Sequence, residues 1–226
     1  MKFLTESQLE ELKKIDTPTV ANAVEKHHTR ENTEGFMGYN IACQFPDLGI
    51  MVGQAVTATF NTTTTGKKRS RSVWHECLRS IDAIPVPVVI VAKDIGPRPL
   101  HGCHFGDSMA NVSKRVGAIG LVTDAGVRDA ETVHDMGFHY FSPGMVPAHG
   151  NFGLDETGGP VEVSGVLVNE GDVIHADSNG VVAFPPDLAD FVISESKKVW
   201  KSESDEFDWV NTDEFTLDKF IERKEA

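Results

Sequence analysis

The feature that most narrows the fold is an alternation that begins near residue 86. Val86-Pro87-Val88-Val89-Ile90-Val91-Ala92 is a nearly unbroken apolar run of strand length, the mark of a strand covered on both faces. A helical stretch follows, with Met109, Val112 and Val116 as its expected apolar face. Asp107 is placed to cap it, and Gly117 sits where a C′ glycine belongs. Residues 118–123 read as the next strand, 128–136 as a helix closed by Gly137, and 138–141 as a further strand. Strands separated by helices in this rhythm predict an α/β fold, with helices laid against a sheet.

The flanks extend this layout. Thr5 caps a helix bearing Leu9, Leu12 and Ile15, and Thr5-x-x-Gln8 has the form of a capping box. Thr17-Pro18 opens a second helix to about residue 26, because proline suits a first helical turn. Residues 29–50 read as loop with a short strand, 52–60 as a strand and 73–80 as a helix. Short strands at 161–163, 166–168, 172–176 and 181–184 are separated by turns at Gly165, Asn169-Glu170-Gly171 and Asp177-Ser178-Asn179-Gly180. After Pro185-Pro186 a helix runs to about residue 203 and into an acidic tail. The tail's Phe207, Trp209, Phe215 and Phe220 point to packing against another surface, a neighbouring subunit among the options. The expected organisation is one domain over 1–226, with N-terminal helices at about 5–27 and a C-terminal helix plus tail at about 187–226. A chain of 226 residues can bury a sizeable core.

Charge excludes a class of partner. With 34 acidic against 21 basic residues the formal charge is -13, a field that repels phosphate backbones. The run Lys67-Lys68-Arg69, with Arg71 nearby, is too short to reverse it, so no nucleic-acid partner is expected. No stretch approaches the roughly 20 apolar residues of a membrane span, and acids interrupt the N-terminus before a signal-like run forms. Neither a membrane partner nor a secretory signal is expected. Cys43, Cys77 and Cys103 are odd in number and form no CxxC pair, which predicts reduced thiols and a cytoplasmic protein.

The chemistry concentrates in Gly106-Asp107-Ser108-Met109 and in Thr123-Asp124-Ala125-Gly126-Val127-Arg128-Asp129. Both segments lie where a strand end or loop meets a helix start, the usual ligand position in α/β layers. Free amides of Ser108 and Met109 suit a carboxylate, and Arg128 offers a planar donor fork to an anion or a developing enolate oxygen. Asp107, Asp124 and Asp129 are expected close together, where three carboxylates repel unless a cation joins them. Oxygen ligands favour Mg or Mn over zinc. Plainer readings stand beside these: Asp107 as a cap alone, and Arg128–Asp129 as a surface pair.

Other signals compete. His101-Gly102-Cys103-His104 has soft-metal residues but no second pair at zinc spacing, and reads as loop histidines at the mouth of the site. Lys93 at a strand end is either an imine-forming lysine or a solvent-facing one. No Gly-x-Gly-x-x-Gly follows a strand, so no dinucleotide or methyl-donor site is expected. His134 and His139 read as structural or exposed.

The spacing Asp107-x20-Arg128-Asp129 resembles the motif of the RraA-like family, which includes metal-dependent 4-hydroxy-4-methyl-2-oxoglutarate / 4-carboxy-4-hydroxy-2-oxoadipate aldolases. Asp16-Thr17-Pro18-Thr19-Val20-Ala21-Asn22-Ala23 is similar to its N-terminal helix, and Val52-Gly53-Gln54-Ala55-Val56-Thr57 to its first core strand. Gly165-Val166-Leu167-Val168 and Ala176-Asp177-x2-Gly180-Val181-Val182 are similar to its late β-turns. Residues 62–74 and the tail beyond Asp205 have no counterpart, and Ala125-Gly126 reverses the family's usual order. The resemblance implies a β/β/α swivelling-domain fold and a homotrimer or a dimer of trimers. It implies that Asp129 ligates a divalent metal, that Arg128 contacts the ketone or enolate oxygen, and that Asp107 holds a water on the metal. It implies further that the amides of Ser108 and Met109 take the carboxylate of a small 2-oxo acid. An adjacent subunit would add a glutamate from the C-terminal helix, Glu203 or, as the fallback, Glu195. The implied activity is a lyase releasing pyruvate, with oxaloacetate decarboxylation alongside. The alternative is a protein-binding regulator of ribonuclease E, since the family includes such members.

Overall fold

A computed structural model describes residues 1–28, 30–62 and 70–225. The basic run Lys67-Lys68-Arg69 lies outside the described residues.

Two helices open the chain, α1 (Glu6–Leu12) and α2 (Thr17–Glu25). Thr5 caps α1 through the reciprocal bonds of a capping box with Gln8. Thr17-Pro18 opens α2 as expected, and Asp16 caps it, accepting from the Thr19 amide. Then come β1 (Ala42–Cys43), the long β2 (Met51–Asn61), α3 (Ser72–Asp82) and β3 (Val88–Asp94). β4 (Cys103–Phe105), α4 (Asp107–Arg115), β5 (Ala118–Thr123), β6 (Gly126–Val127), α5 (Ala130–Asp135) and β7 (His139–Ser142) form the alternating middle. The last third holds β8 (Gly153–Thr157), β9 (Val161–Val163), β10 (Val166–Val168), β11 (Val173–Asp177) and β12 (Gly180–Phe184), followed by α6 (Ala189–Val210) and α7 (Leu217–Glu225).

The main sheet runs β1-β7-β5-β3-β2-β11-β12, with β8 on the far end of β2. β2, β3, β5 and β7 form a parallel block, while β1, β11, β12 and β8 are antiparallel to their neighbours. Side chains alternate across a strand, so the apolar run of β3 supplies two cores at once. Val88, Ile90 and Ala92 join Ile81, Leu121, Phe105, Val133 and Tyr140 beneath α3, α4 and α5. Val89 and Val91 join Phe141, Ile174 and the valines of the β9–β10 hairpin on the other side. A helical layer and a second β layer therefore sandwich the sheet, the β/β/α arrangement. A third core packs α1, α2 and the start of α6 on Val52, Val173, Val182 and Phe184.

Several expectations need correction. Gly106 is the N-cap of α4 and Asp107 its first helical residue. Of the expected face, Met109 and Val116 pack partly buried on the core, Val112 is exposed, and Ala110 and Ser113 are the fully buried positions. The expected 128–136 helix begins only at Ala130, because Asp129 is left-handed (φ 59°, ψ 42°). β4, β6 and β8 were not expected, being short and lacking a β-branched run. The acidic tail is helical: α6 runs on to Val210, and α7 turns back. Trp209, Phe215 and Phe220 pack on one another, with Trp209 and Phe215 ring centres 5.3 Å apart and the Arg223 guanidinium 4.1 Å above Trp209, while Phe207 is exposed. Among the described residues, no helix is long and apolar enough to cross a membrane.

Candidate active site

Asp107 and Asp129 are 22 residues apart in sequence and are joined by the small β4–β6 pairing. The two strands run parallel, with Cys103 opposite Gly126 and Phe105 opposite Val127. The Arg128 amide donates to the Phe105 carbonyl at 3.0 Å, which locks the two following turns side by side. Across that junction the Asp107 amide donates to Asp129 Oδ2 at 3.1 Å, and Arg128 Nε lies 3.3 Å from the same oxygen. Space is tight: a Cβ on Gly106 would stand 2.4 Å from Asp129 Oδ2. Only glycine lets the backbone approach the carboxylate this closely. Asp129 holds its left-handed backbone at a strain cost of roughly 1–3 kcal/mol, the kind of strain that collects at functional sites.

The Asp107 carboxylate turns back on its own helix start, accepting from the Ser108 amide at 2.5 Å and the Ser108 hydroxyl at 3.2 Å. The Ser108 amide expected for a substrate carboxylate therefore already has a partner, which an incoming anion must replace. Met109 is half-buried beside it. Two clefts meet at Arg128. One of about 560 Å³ runs between the first turn of α5 and residues 145–147. The other, of about 160 Å³, reaches under Met109 to Phe105 and Phe152.

Asp124 does not join the centre. Its Oδ2 takes the Lys93 ammonium at 2.5 Å, and its Oδ1 accepts from the Asp94 amide at 2.8 Å. Lys93 is thus one-third exposed and paired, not a free lysine. The signal was present: Lys93 and Asp124 end or follow adjacent parallel strands, so they share one edge. The histidine tract is corrected as well. His101 is exposed beside Arg98, but Cys103 and His104 lie buried in β4. Neighbours on a strand point to opposite faces, so Cys103 and His104 do not converge on one ion. His104 stacks on Phe60 at 4.0 Å and its Nε2 lies 2.9 Å from Thr123 Oγ1. Burial pulls its pKa down to about 3, so the ring is neutral behind the centre. Burial also pushes the Cys103 thiol and the Tyr140 phenol up, the Asp129 carboxylate adding to both shifts. His139 is buried in β7, while His134 pairs with Asp47 at 2.7 Å.

Glu203 is exposed on α6, which packs on α1 and α2, and Glu195 pairs with Lys198. Both stand on a different layer from Asp129. Sequence reasoning placed Gly106 in the chemical segment without a role of its own, and it missed the cleft residues Glu131, Thr132, Met145, Val146 and Pro147. Gly106 was signalled by its place directly before Asp107; the wall of 145–147 comes from a loop with no local signature.

Comparison with known proteins fits this frame. The RraA-like family model, described as Aldolase/RraA, matches residues 17–183. Protein DlpA of Legionella pneumophila is 26% identical over 132 residues, covering 58% of this chain and 21% of that protein. A Halalkalibacterium halodurans protein named as a candidate 4-hydroxy-4-methyl-2-oxoglutarate aldolase is 29% identical over 94 residues, 41% of this chain and 45% of that one. The matches therefore span about a fifth of the first relative's length and under half of the second's. Among solved structures, an uncharacterized protein of Pseudomonas syringae pv. tomato superposes with a TM-score of 0.75 at 25% identity, covering 96% of this chain and 94% of the other. A family match over most of the chain, on this same fold, makes the protein a member of the RraA-like family.

Proposed function

We propose that the protein is a divalent-metal-dependent carbon–carbon lyase that cleaves a small 4-hydroxy-2-oxo acid and releases pyruvate, with oxaloacetate decarboxylation alongside. The observation that carries this reading is the shared Asp129 oxygen, held by the Asp107 amide and Arg128 over the start of α4.

The donors suit Mg or Mn. Among the described residues, no group of three or more His, Cys, Asp or Glu could hold an ion, which argues against the closed ligand set of a structural zinc. Mg instead keeps several waters and binds through one or two carboxylates plus substrate. Asp129 would ligate it directly and Asp107 through a water. A divalent ion bound there would supply a Lewis acid to the ketone oxygen.

The protein's own groups do the rest. The amides of Ser108 and Met109 receive the substrate carboxylate, the Asp107 side chain giving up its bond to Ser108. As the C3–C4 bond breaks, its electrons move onto the ketone oxygen, and the Arg128 fork donates to the charge that grows there. The C4 hydroxyl proton leaves to a water ordered by Asp107, with Glu203 of an adjacent copy as its partner in a trimer or hexamer. The resulting pyruvate enolate then takes that proton back at C3 from the same water.

The test is pyruvate release from 4-hydroxy-2-oxo acids with and without chelator. Activity should vanish with EDTA and return with Mg or Mn. Release that survives chelation and is trapped by borohydride at Lys93 would replace this mechanism with an imine one. Mixing inactive Glu203→Ala and Asp129→Ala chains should restore partial activity through hybrid sites; an active monomer in sedimentation overturns the shared site. Ribonuclease capture with no turnover would favour the regulator instead.

A further inference from the structure

We infer that the His149 imidazole holds the proton between the two halves of the cleavage. Its Nε2 accepts, through the water at Asp107, the proton that leaves the C4 hydroxyl, and gives it back by the same water to C3 of the enolate. This rests on the lyase reading and names the group that stores the proton.

The backbone decides where residue 149 stands. The loop after β7 is tied to the small β4–β6 pair by bonds from Val127 N to the Gly144 carbonyl (3.1 Å), from Val146 N to the Val127 carbonyl (2.9 Å) and from Cys103 N to the Ala148 carbonyl (3.0 Å). The approach is close because residue 126 is glycine; a Cβ there would stand 2.5 Å from Val146 Cγ2. His149 directly follows the last of these ties and lines the smaller cleft. Asp107, Ser108 and Met109 at the start of α4 line it too, as does Arg128. These are the groups that the lyase reading places on the substrate and its water. At about 160 Å³ the cleft has room for a handful of waters, so the relay from Asp107 to the ring is short.

The ring's own bonds decide which nitrogen is basic. Nδ1 lies 2.6 Å from the Gly150 carbonyl oxygen. A carbonyl can only accept, so Nδ1 carries the hydrogen and the neutral ring keeps its lone pair at Nε2. Phe152 meets the ring edge-on, with centres 5.3 Å apart and planes at 67°, which fixes its orientation. An imidazole with one nitrogen committed to a carbonyl and the other left basic is the form a proton acceptor needs.

Among the described residues, two other titratable groups line the cleft from β4, and burial silences both near neutral pH. It pulls His104 down to about 3 and pushes the Cys103 thiol up. The charged groups on the remaining walls are the Asp107 carboxylate and the Arg128 guanidinium, the latter resting on Asp129. His149 is exposed at the rim, where a protonated ring remains solvated.

The proton count closes. As the C3–C4 bond breaks, its electron pair passes to the ketone oxygen and the C4 hydroxyl proton passes to Nε2. The imidazolium then returns that proton to C3, leaving pyruvate, the carbonyl product formed at C4 and a neutral ring. Oxaloacetate makes a different demand. It has no C4 hydroxyl proton to lose, carbon dioxide leaves directly, and C3 can draw its proton from solvent. Loss of the ring should therefore divide the two reactions.

The experiment compares His149→Gln with the unaltered full chain, both with Mg. Glutamine keeps a hydrogen-bonding side chain but cannot take up a proton. Pyruvate release from 4-hydroxy-4-methyl-2-oxoglutarate should fall about a hundredfold in kcat, while carbon dioxide release from oxaloacetate stays within about threefold. Cleavage within about twofold of the unaltered chain overturns the inference and leaves the lyase reading standing. An equal fall in both reactions also overturns it, because a ring that merely shapes the cleft would affect both alike. If the unaltered chain performs neither reaction, the lyase reading fails and this inference goes with it.

Discussion

Asp124 and Asp129 stand five residues apart beyond the same strand, each beside a cation, and they do opposite things. Asp124 is 16% exposed, with both oxygens engaged by Lys93 and the Asp94 amide. Asp129 is 34% exposed, strained, and has one oxygen shared by two donors. The first carboxylate has its hydrogen-bonding capacity consumed by the fold; the second is held in place yet left able to bind. Satisfaction, rather than residue type or position along the chain, separates the acid whose capacity the fold consumes from the one it leaves with capacity to spare.

The largest expected effect tests the open side of this comparison. Arg128→Lys keeps the charge but loses the planar fork. Losing such a donor should lower kcat for pyruvate release by about a hundredfold or more, with Tm nearly unchanged. A Tm loss as large as that of Asp124→Ala would erase the distinction.

Asp124→Ala tests the closed side. It leaves the half-buried Lys93 ammonium without its partner. After discounting for the one-third exposure of Lys93, the loss should be about 2 kcal/mol, or roughly 5 °C in Tm. Thermal melts of the two variants side by side decide it, and an unchanged Asp124→Ala melt would show the pair to be idle.

The histidines carry the same contrast into pH. His104, His139 and His175 are buried and their pKa values are lowered by that burial, so each is neutral in the fold. The unfolded chain takes up protons below about pH 6.5, whereas in the fold His104 does so only near pH 3 and His139 and His175 only below the ordinary range. Stability is therefore full above that pH and falls as pH drops below it. His134 runs the other way: its hydrogen bond to Asp47 raises it, so its contribution is lost as pH rises. It is on the surface and screened. Urea midpoints should show a loss of about 1–2 kcal/mol between pH 7.5 and 5.5, and His104→Phe should flatten the slope. A flat profile for the unaltered protein would mean these rings take up protons in the fold. The smallest effect belongs to Val112→Ser on the open face of α4, which should stay within about 0.5 kcal/mol.

Much of the fold could be read locally. The apolar run of β3, the caps at Thr5 and Asp16 and the closing glycines Gly117 and Gly137 all express short-range rules, and the elements stand within a few residues of expectation. The helix of 107–115 shows where such rules stop. Met109 and Val116 pack against the core as their helical spacing predicts, but Val112 stays exposed, and the fully buried positions are Ala110 and Ser113, because which stripe turns inward depends on what covers it.

The amino-acid sequence by itself determined the alternation of elements, the family motif and the residue types available for chemistry, because these depend on neighbours a few positions away. Only the tertiary structure decided which acid is open. The three-residue β4 and two-residue β6 carry no local signal strong enough to announce themselves, yet their pairing brings Asp107 to Asp129. The parallel register of β3 and β5 sends Asp124 to Lys93 instead. The wall at 145–147 likewise exists only because glycine at 126 lets a distant loop close on β6. Contacts of this kind are set by long-range strand pairing, whose partner and register are fixed when the layers pack and not by spacing along the chain.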